Sequence, residues 1–115
     1  MTQPNGTPKP MRPAEFHILL TLAGSDLHGL GIAKAIDEAT DGVIRLGPGT
    51  LYRTLKQLVT AALIEEVSAP DGDDDPRRRY YRITATGLER VRTDAERLAR
   101  IVRTARDNAV LPEPS

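Results

Sequence analysis

Arg53, Lys56 and Gln57, three side chains within five positions, are the best equipped for recognition chemistry in this sequence. A guanidinium donates two parallel hydrogen bonds to a guanine edge, an amide matches an adenine edge, and an ammonium pairs with a phosphate. At about 100° per residue, Leu51, Leu55, Leu58 and Val59 share one face of a helix. Arg53 and Gln57 fall nearly opposite, with Gly49, Thr50 and Lys56 around them and Tyr52 and Thr54 on the borders. The outward face therefore carries cations, amide and hydroxyl groups and no carboxylate. Gly47-Pro48-Gly49 opens this helix, where free N–H groups suit a phosphate. A solvated face without a partner accounts for the same residues, so this helix alone leaves both readings open.

A second cationic stretch is Arg77, Arg78 and Arg79, followed by Tyr80-Tyr81-Arg82-Ile83. Strand alternation turns Tyr81 and Ile83 to the core and Tyr80 and Arg82 away from it. The arginines then lie near a hairpin tip, within reach of a duplex backbone. Asp73 to Asp75 stand beside them and would repel phosphate, so a charge run that balances these acids is the competing account. Asp71, Asp73 and Asp75 alternate like the start of a calcium loop. Pro76 stands where that loop needs glycine, and Arg82 where it needs glutamate. His17 and His28 fall on different helices without metal-motif spacing, and His28 is expected to pack or cap. No nucleophile–base set and no phosphate-binding glycine loop after a strand is present. The expectation is no enzyme, no metal site and no cofactor.

The elements that position these residues follow from periodicity and punctuation. Pro13 and Glu15 open a helix over 13–23, which Gly24 ends. Ser25 or Asp26 caps a second helix with Leu27, Leu30, Ala33 (or Ile32) and Ile36 on one side, closed by Thr40-Asp41-Gly42. Val43 to Leu46 reads as a strand or extended linker. The third helix runs from Gly47 to about Ala62. Ile64–Val67 and Arg79–Ile83 form a hairpin around the polar 69–76 turn. One long helical pattern covers 84–107. The order of helix, helix, helix, strand, strand, helix is that of a winged helix-turn-helix with a two-stranded wing and an added C-terminal helix, a mainly α (α+β) fold. The expected division is a flexible tail over 1–12, a DNA-binding domain over 13–83, a dimerisation helix over 84–107 and a second tail over 108–115.

With 115 residues there is room for one core, and three Tyr, one Phe and no Trp make it an aliphatic one. The net charge is zero, so total charge announces no nucleic-acid partner. Its distribution is more telling: residues 42–64 hold Arg45, Arg53 and Lys56 and no acid, whereas 26–41 hold four acids and one lysine. Absence of cysteine excludes disulfides and thiolate sites. Without an apolar span or a signal-peptide core, a cytoplasmic protein with no membrane partner is expected, and the Asn5-Gly6-Thr7 sequon has no meaning there.

Three motifs stand in order along the chain. His28-Gly29-Leu30-Gly31-Ile32 matches His-Gly-Tyr-x-Ile. Gly49-Thr50-Leu51-Tyr52-Arg53-Thr54-Leu55-Lys56-Gln57-Leu58 matches Gly-x-Leu-Tyr-x-x-Leu-x-x-Leu. Arg79-Tyr80-Tyr81-Arg82-Ile83-Thr84-Ala85-Thr86-Gly87 matches Tyr-Tyr-x-hydrophobic-Thr-x-x-Gly. With these motifs the chain resembles the PadR family of bacterial transcriptional regulators, over nearly the whole span from Pro13 to Asp107. The resemblance implies a third helix in the major groove, a dimer formed largely by the C-terminal helix, usually repression, and Tyr52 as a DNA-contacting residue. Three features depart from the pattern: Leu30 replaces an aromatic, the wing turn is unusually acidic, and no tryptophan is available to hold a flat ligand.

The long helix points to a dimer independently. Leu88, Val91, Ala95, Leu98, Val102 and Ala105 repeat at spacings of three and four, a heptad-like seam. Six arginines and four acids cover its other faces, with Glu96 and Arg100 at a favourable spacing. The expected partners are double-stranded operator DNA and a second copy of the chain, with a small-molecule effector possible in a cleft between the dimerising helices. A winged-helix protein-interaction module without DNA binding is the alternative.

Overall fold

The computed structural model describes residues 9–114. Four helices and three short strands follow in the order α1 (Pro13–Leu22), β1 (Leu27–His28), α2 (Gly29–Ala39), α3 (Pro48–Thr60), β2 (Ile64–Val67), β3 (Tyr80–Ile83) and α4 (Ala85–Asp107). The sheet is antiparallel, in the order β1-β3-β2. The winged helix-turn-helix, mainly helical with a wing, is the observed fold.

The wing is not a pair of strands alone. Leu27 and His28 pair with Tyr81 and Tyr80 and add a third strand. α2 consequently starts at Gly29 and not behind Ser25 or Asp26. The cap is His28, whose Nδ1 accepts the Gly31 N–H at 3.2 Å. Asp26 is spent elsewhere: its Oδ2 accepts from Arg82 Nη2 at 2.8 Å. Val43 to Leu46 join no strand and form the connection between α2 and α3. Thr40 ties this connection down, donating to Ile36 O at 2.8 Å and accepting the Ile44 N–H at 3.0 Å.

The core is aliphatic apart from one tyrosine. Ile18, Leu19 and Leu22 from α1, Ile32 and Ile36 from α2, and Leu51, Leu55 and Leu58 from α3 close over Ile64, Tyr81 and Val91. Each fully buried Leu or Ile contributes about 1.5–3 kcal/mol. Leu30 lies outside the core, exposed on the first turn of α2.

Residues 1–8, with the sequon, lie outside the described residues. Residues 9–12 are bonded to α4: Met11 N–H donates to Asp94 Oδ2 at 2.8 Å, and Arg90 Nη2 donates to Lys9 O at 2.6 Å. Asp94 is buried and also accepts from Arg97 Nη2 at 3.1 Å. The sequence offers it as one acid among several on a solvated face. Its burial follows from the place of Val91, one turn earlier on the same side of α4.

Candidate nucleic-acid interface

α3 presents the surface that its periodicity implies. Leu51, Thr54, Leu55 and Leu58 are buried, while Gly49, Thr50, Tyr52, Arg53, Lys56 and Gln57 are exposed. Thr54, at the border of the apolar face, goes inward. Gly47 and Gly49 are informative by what does not surround them. A Cβ at either would meet nothing within 4 Å, and neither has a positive φ. The protomer's own packing therefore requires no glycine at the start of α3.

Tyr52 is held differently. A Cβ on Gly29 would stand 2.8 Å from the Tyr52 hydroxyl, so the bare backbone of α2 is what lets this ring lie against it. Tyr52 then lines a cleft of about 350 Å³ with His28, Gly29, Leu30, Tyr81 and the wing residues Arg78 and Arg79. A neighbouring cleft of about 520 Å³ adds Lys56, Val59, Thr60 and Glu66 to Tyr52, Arg79 and Tyr81. The fold thus brings one flank of α3 and the base of the wing onto one surface. Arg77 stands apart on the turn, almost fully exposed.

All three wing arginines face carboxylates. Arg77 Nε lies 3.4 Å from Asp75 Oδ1, Arg78 Nη1 lies 3.4 Å from Asp73 Oδ1 and 3.2 Å from Asp74 Oδ1, and Arg79 Nη1 lies 3.9 Å from Glu66 Oε2. Asp73 organises the turn. Its carboxylate accepts the Tyr80 hydroxyl and the Asp75 N–H, and the Tyr80 ring stacks edge-on against His28, the α2 cap, with centroids 5.3 Å apart.

The Tyr80 hydrogen bond, followed by the Asp75 N–H, holds the Asp73 carboxyl below its ordinary value of 3.8. The same bond raises the Tyr80 phenol. A carboxyl whose pKa is lower in the folded state stabilises that state above its unfolded pKa. The Asp73 contribution is lost as pH falls through the depressed value. Tyr80→Phe is therefore expected to bring the Asp73 titration back up towards 3.8, read from its side-chain carboxyl carbon by NMR. An unmoved titration would show that Tyr80 is not the cause.

A profile described as the transcriptional regulator PadR-like family matches residues 18–93. The chain belongs to that family. Its match begins inside α1 and ends inside α4, so it takes in α2, α3 and all three strands. Among solved structures, a transcriptional regulator from Clostridium thermocellum is 26% identical, with a TM-score of 0.67 over 82% of this chain and 87% of that one. A PadR family transcription regulator from Clostridium difficile is 24% identical, with a TM-score of 0.70 over 84% of this chain and 97% of that one, a likeness of fold. An uncharacterized 37.1 kDa protein in a transposon of Streptomyces fradiae is 31% identical over 102 residues, 89% of this chain. The chain spans 28% of that protein's length.

The PadR-like motifs have structural reasons here. The glycine of His-Gly receives Tyr52, the histidine caps α2, and the Thr-x-x-Gly stretch caps α4, with Thr84 Oγ1 accepting the Gly87 N–H at 3.0 Å. Among the described residues, no helix is long and apolar enough to cross a membrane and no cluster of His, Asp or Glu suits a metal ion.

The long α4 divides in two. Val91 is buried in the core of its own domain. Beyond Asp94 no α4 residue is buried, and Leu98, Ile101 and Val102 are exposed together with Leu88 nearer the start. Ala95 and Ala105 are half-buried. Ile101 is missing from the heptad reading because Val102, the next residue, takes the seam position and leaves Ile101 beside it. The ion pairs of α4 run from Asp94 to Arg90 and Arg97.

Proposed function

We propose that this chain is a sequence-specific DNA-binding transcriptional regulator, a repressor that binds operator DNA as a homodimer through α3 and the wing. One observation carries the reading: the exposed face of α3 combines Thr50, Arg53, Lys56 and Gln57 with no carboxylate, and opens on a glycine that nothing in the protomer requires. A glycine without a Cβ lets an outside backbone approach closely. Membership of the PadR-like family supports the same reading. Arg53 and Gln57 are assigned to base edges. Tyr52, Lys56, Arg78 and Arg79 are assigned to phosphates, and Arg77 to the backbone beyond the wing tip. Leu88, Ala95, Leu98, Val102 and Ala105 are assigned to the dimer seam, with Ile101 added and Val91 shared with the core.

Loss of a base-reading pair costs about 1–3 kcal/mol at one position. Loss of a phosphate contact weakens all sequences alike and lowers the salt slope by about one. Arg53→Ala is therefore expected to lower the ratio of affinities for upstream operator DNA and a scrambled duplex. Arg78→Ala should leave that ratio intact. The measurement is fluorescence anisotropy on both duplexes across a salt series. A dimer reads half-sites about 10 base pairs apart, or a multiple of that. If Arg53→Ala changes neither affinity, the assigned face is wrong. If the wild type binds no duplex, the reading gives way to an interaction module, which the carboxylate-paired wing arginines favour.

A further inference from the structure

We propose that the acidic turn of the wing competes with DNA phosphates for the wing arginines, so that Asp74 and Asp75 set how strongly the protein holds DNA of any sequence. The inference rests on the DNA-binding reading and concerns the same surface.

Residues 71–82 hold four acids (Asp71, Asp73, Asp74, Asp75) and four arginines (Arg77, Arg78, Arg79, Arg82), a net charge of zero. The geometry makes the balance local. Arg77 pairs with Asp75, Arg78 with Asp73 and Asp74, and Arg79 with Glu66 on the neighbouring strand. Arg82, on the other side of β3, is taken by Asp26. Each cation that the hairpin carries towards a duplex already has an anion of this chain beside it.

The carboxylates are not equivalent. Asp73 is fixed, because its side chain is buried in the turn and accepts from Tyr80 and from the Asp75 N–H. Asp74 is mostly exposed, and Arg78 is its ion-pair partner. Asp75 Oδ1 accepts from both the N–H and the Nε of Arg77. Exposed ion pairs of this kind are weak, and a duplex offers one phosphate charge per about 1.7 Å of its axis. The arginines can therefore change partners on DNA. In doing so they leave an uncompensated carboxylate against the phosphates, and most of the gain is cancelled. Backbone affinity from the wing stays low, and discrimination falls to α3.

Asp74→Asn with Asp75→Asn tests this in the full chain. Asparagine keeps the side-chain oxygen that Arg77 N–H uses, Asp73 is untouched, and an unchanged Tm reports an intact wing. With Arg77 freed and Arg78 left with Asp73 alone, affinity should rise about tenfold at low salt, on operator and scrambled duplexes alike, and the salt slope should steepen by about one to two. Placed in an Arg77→Ala, Arg78→Ala background, the same asparagine pair should gain less than about twofold. Two results would overturn the proposal. One is a wild type that binds DNA while the asparagine pair binds no better and with the same slope. The other is a full gain that persists without the two arginines, which would make the acids a source of simple repulsion. Binding by neither protein to any duplex would instead sink the DNA-binding reading, and the proposal with it.

Discussion

Gly87→Ala is expected to cost the fold at least about 3 kcal/mol, well above the usual effect of one added methyl. A Cβ at Gly87 would stand 2.1 Å from the carbonyl oxygen of Leu63 and 2.9 Å from Ile83 Cγ1. The first obstacle is backbone, and no rotamer change moves it. That carbonyl also accepts the Thr84 N–H at 3.0 Å, while Thr84 Oγ1 donates to Ala62 O at 2.7 Å and accepts the Gly87 N–H. Making room means lifting the first turn of α4 from the segment that joins α3 to β2, and these bonds go with it. For a domain of this size the loss corresponds to a fall in Tm of more than about 10 °C. Gly31→Ala is the control. Its Cβ would sit 3.5 Å from the His28 ring, an ordinary contact inside α2. Alanine is favoured over glycine in a helix by about 0.5–1 kcal/mol, so Tm should hold or rise. Thermal unfolding of the two proteins checks the pair, and equal Tm values would refute the close approach at Gly87.

Leu98→Asp is expected to give a folded monomer that has lost about a hundredfold or more in operator affinity. Leu98, Ile101 and Val102 are exposed on a part of α4 that contributes no fully buried residue to the core of its own domain. The last ten residues of α4, Leu98–Asp107, extend about 15 Å. A solvated helix has no use for that apolar row, whereas a second copy would cover it. Linked half-site binding gains about 10²–10⁴ over one module, and that factor disappears with the dimer. Val91→Asp makes the contrast, because Val91 is in the core and its replacement should unfold the monomer itself. Sedimentation velocity with circular dichroism separates the two outcomes. A Leu98→Asp protein that still sediments as a dimer would move the interface off this face.

Local signals placed α1, α3, the hairpin and α4 within one or two residues of where they lie. Each rests on neighbours in the chain: Pro13 and Glu15 at one helix start, Gly47-Pro48-Gly49 at another, and the helical repeat from Leu88 to Ala105 along α4. The start of α2 was not legible in this way. Ser25 and Asp26 are good caps by type, yet the chain stays extended for two more residues. Leu27 and His28 have partners more than fifty positions away in β3, and that pairing outweighs a local cap. The burial of Asp94 was equally hidden: Arg90 and Arg97 lie one turn from it on α4, but the Met11 N–H reaches it only when the segment before α1 folds onto α4.

By itself the sequence determined the winged-helix order, the aliphatic core face of α3 and the chemistry opposite it. Helical periodicity divides these residues into two faces whatever surrounds them. It also showed that arginines and aspartates crowd the same turn. Only the tertiary structure decided how that charge is used. Folding the hairpin back sets Asp73 under Tyr80, Glu66 beside Arg79 and Asp26 beside Arg82. Sequence spacing cannot give such distances, because electrostatic pairing acts through space and depends on separations that chain order does not fix.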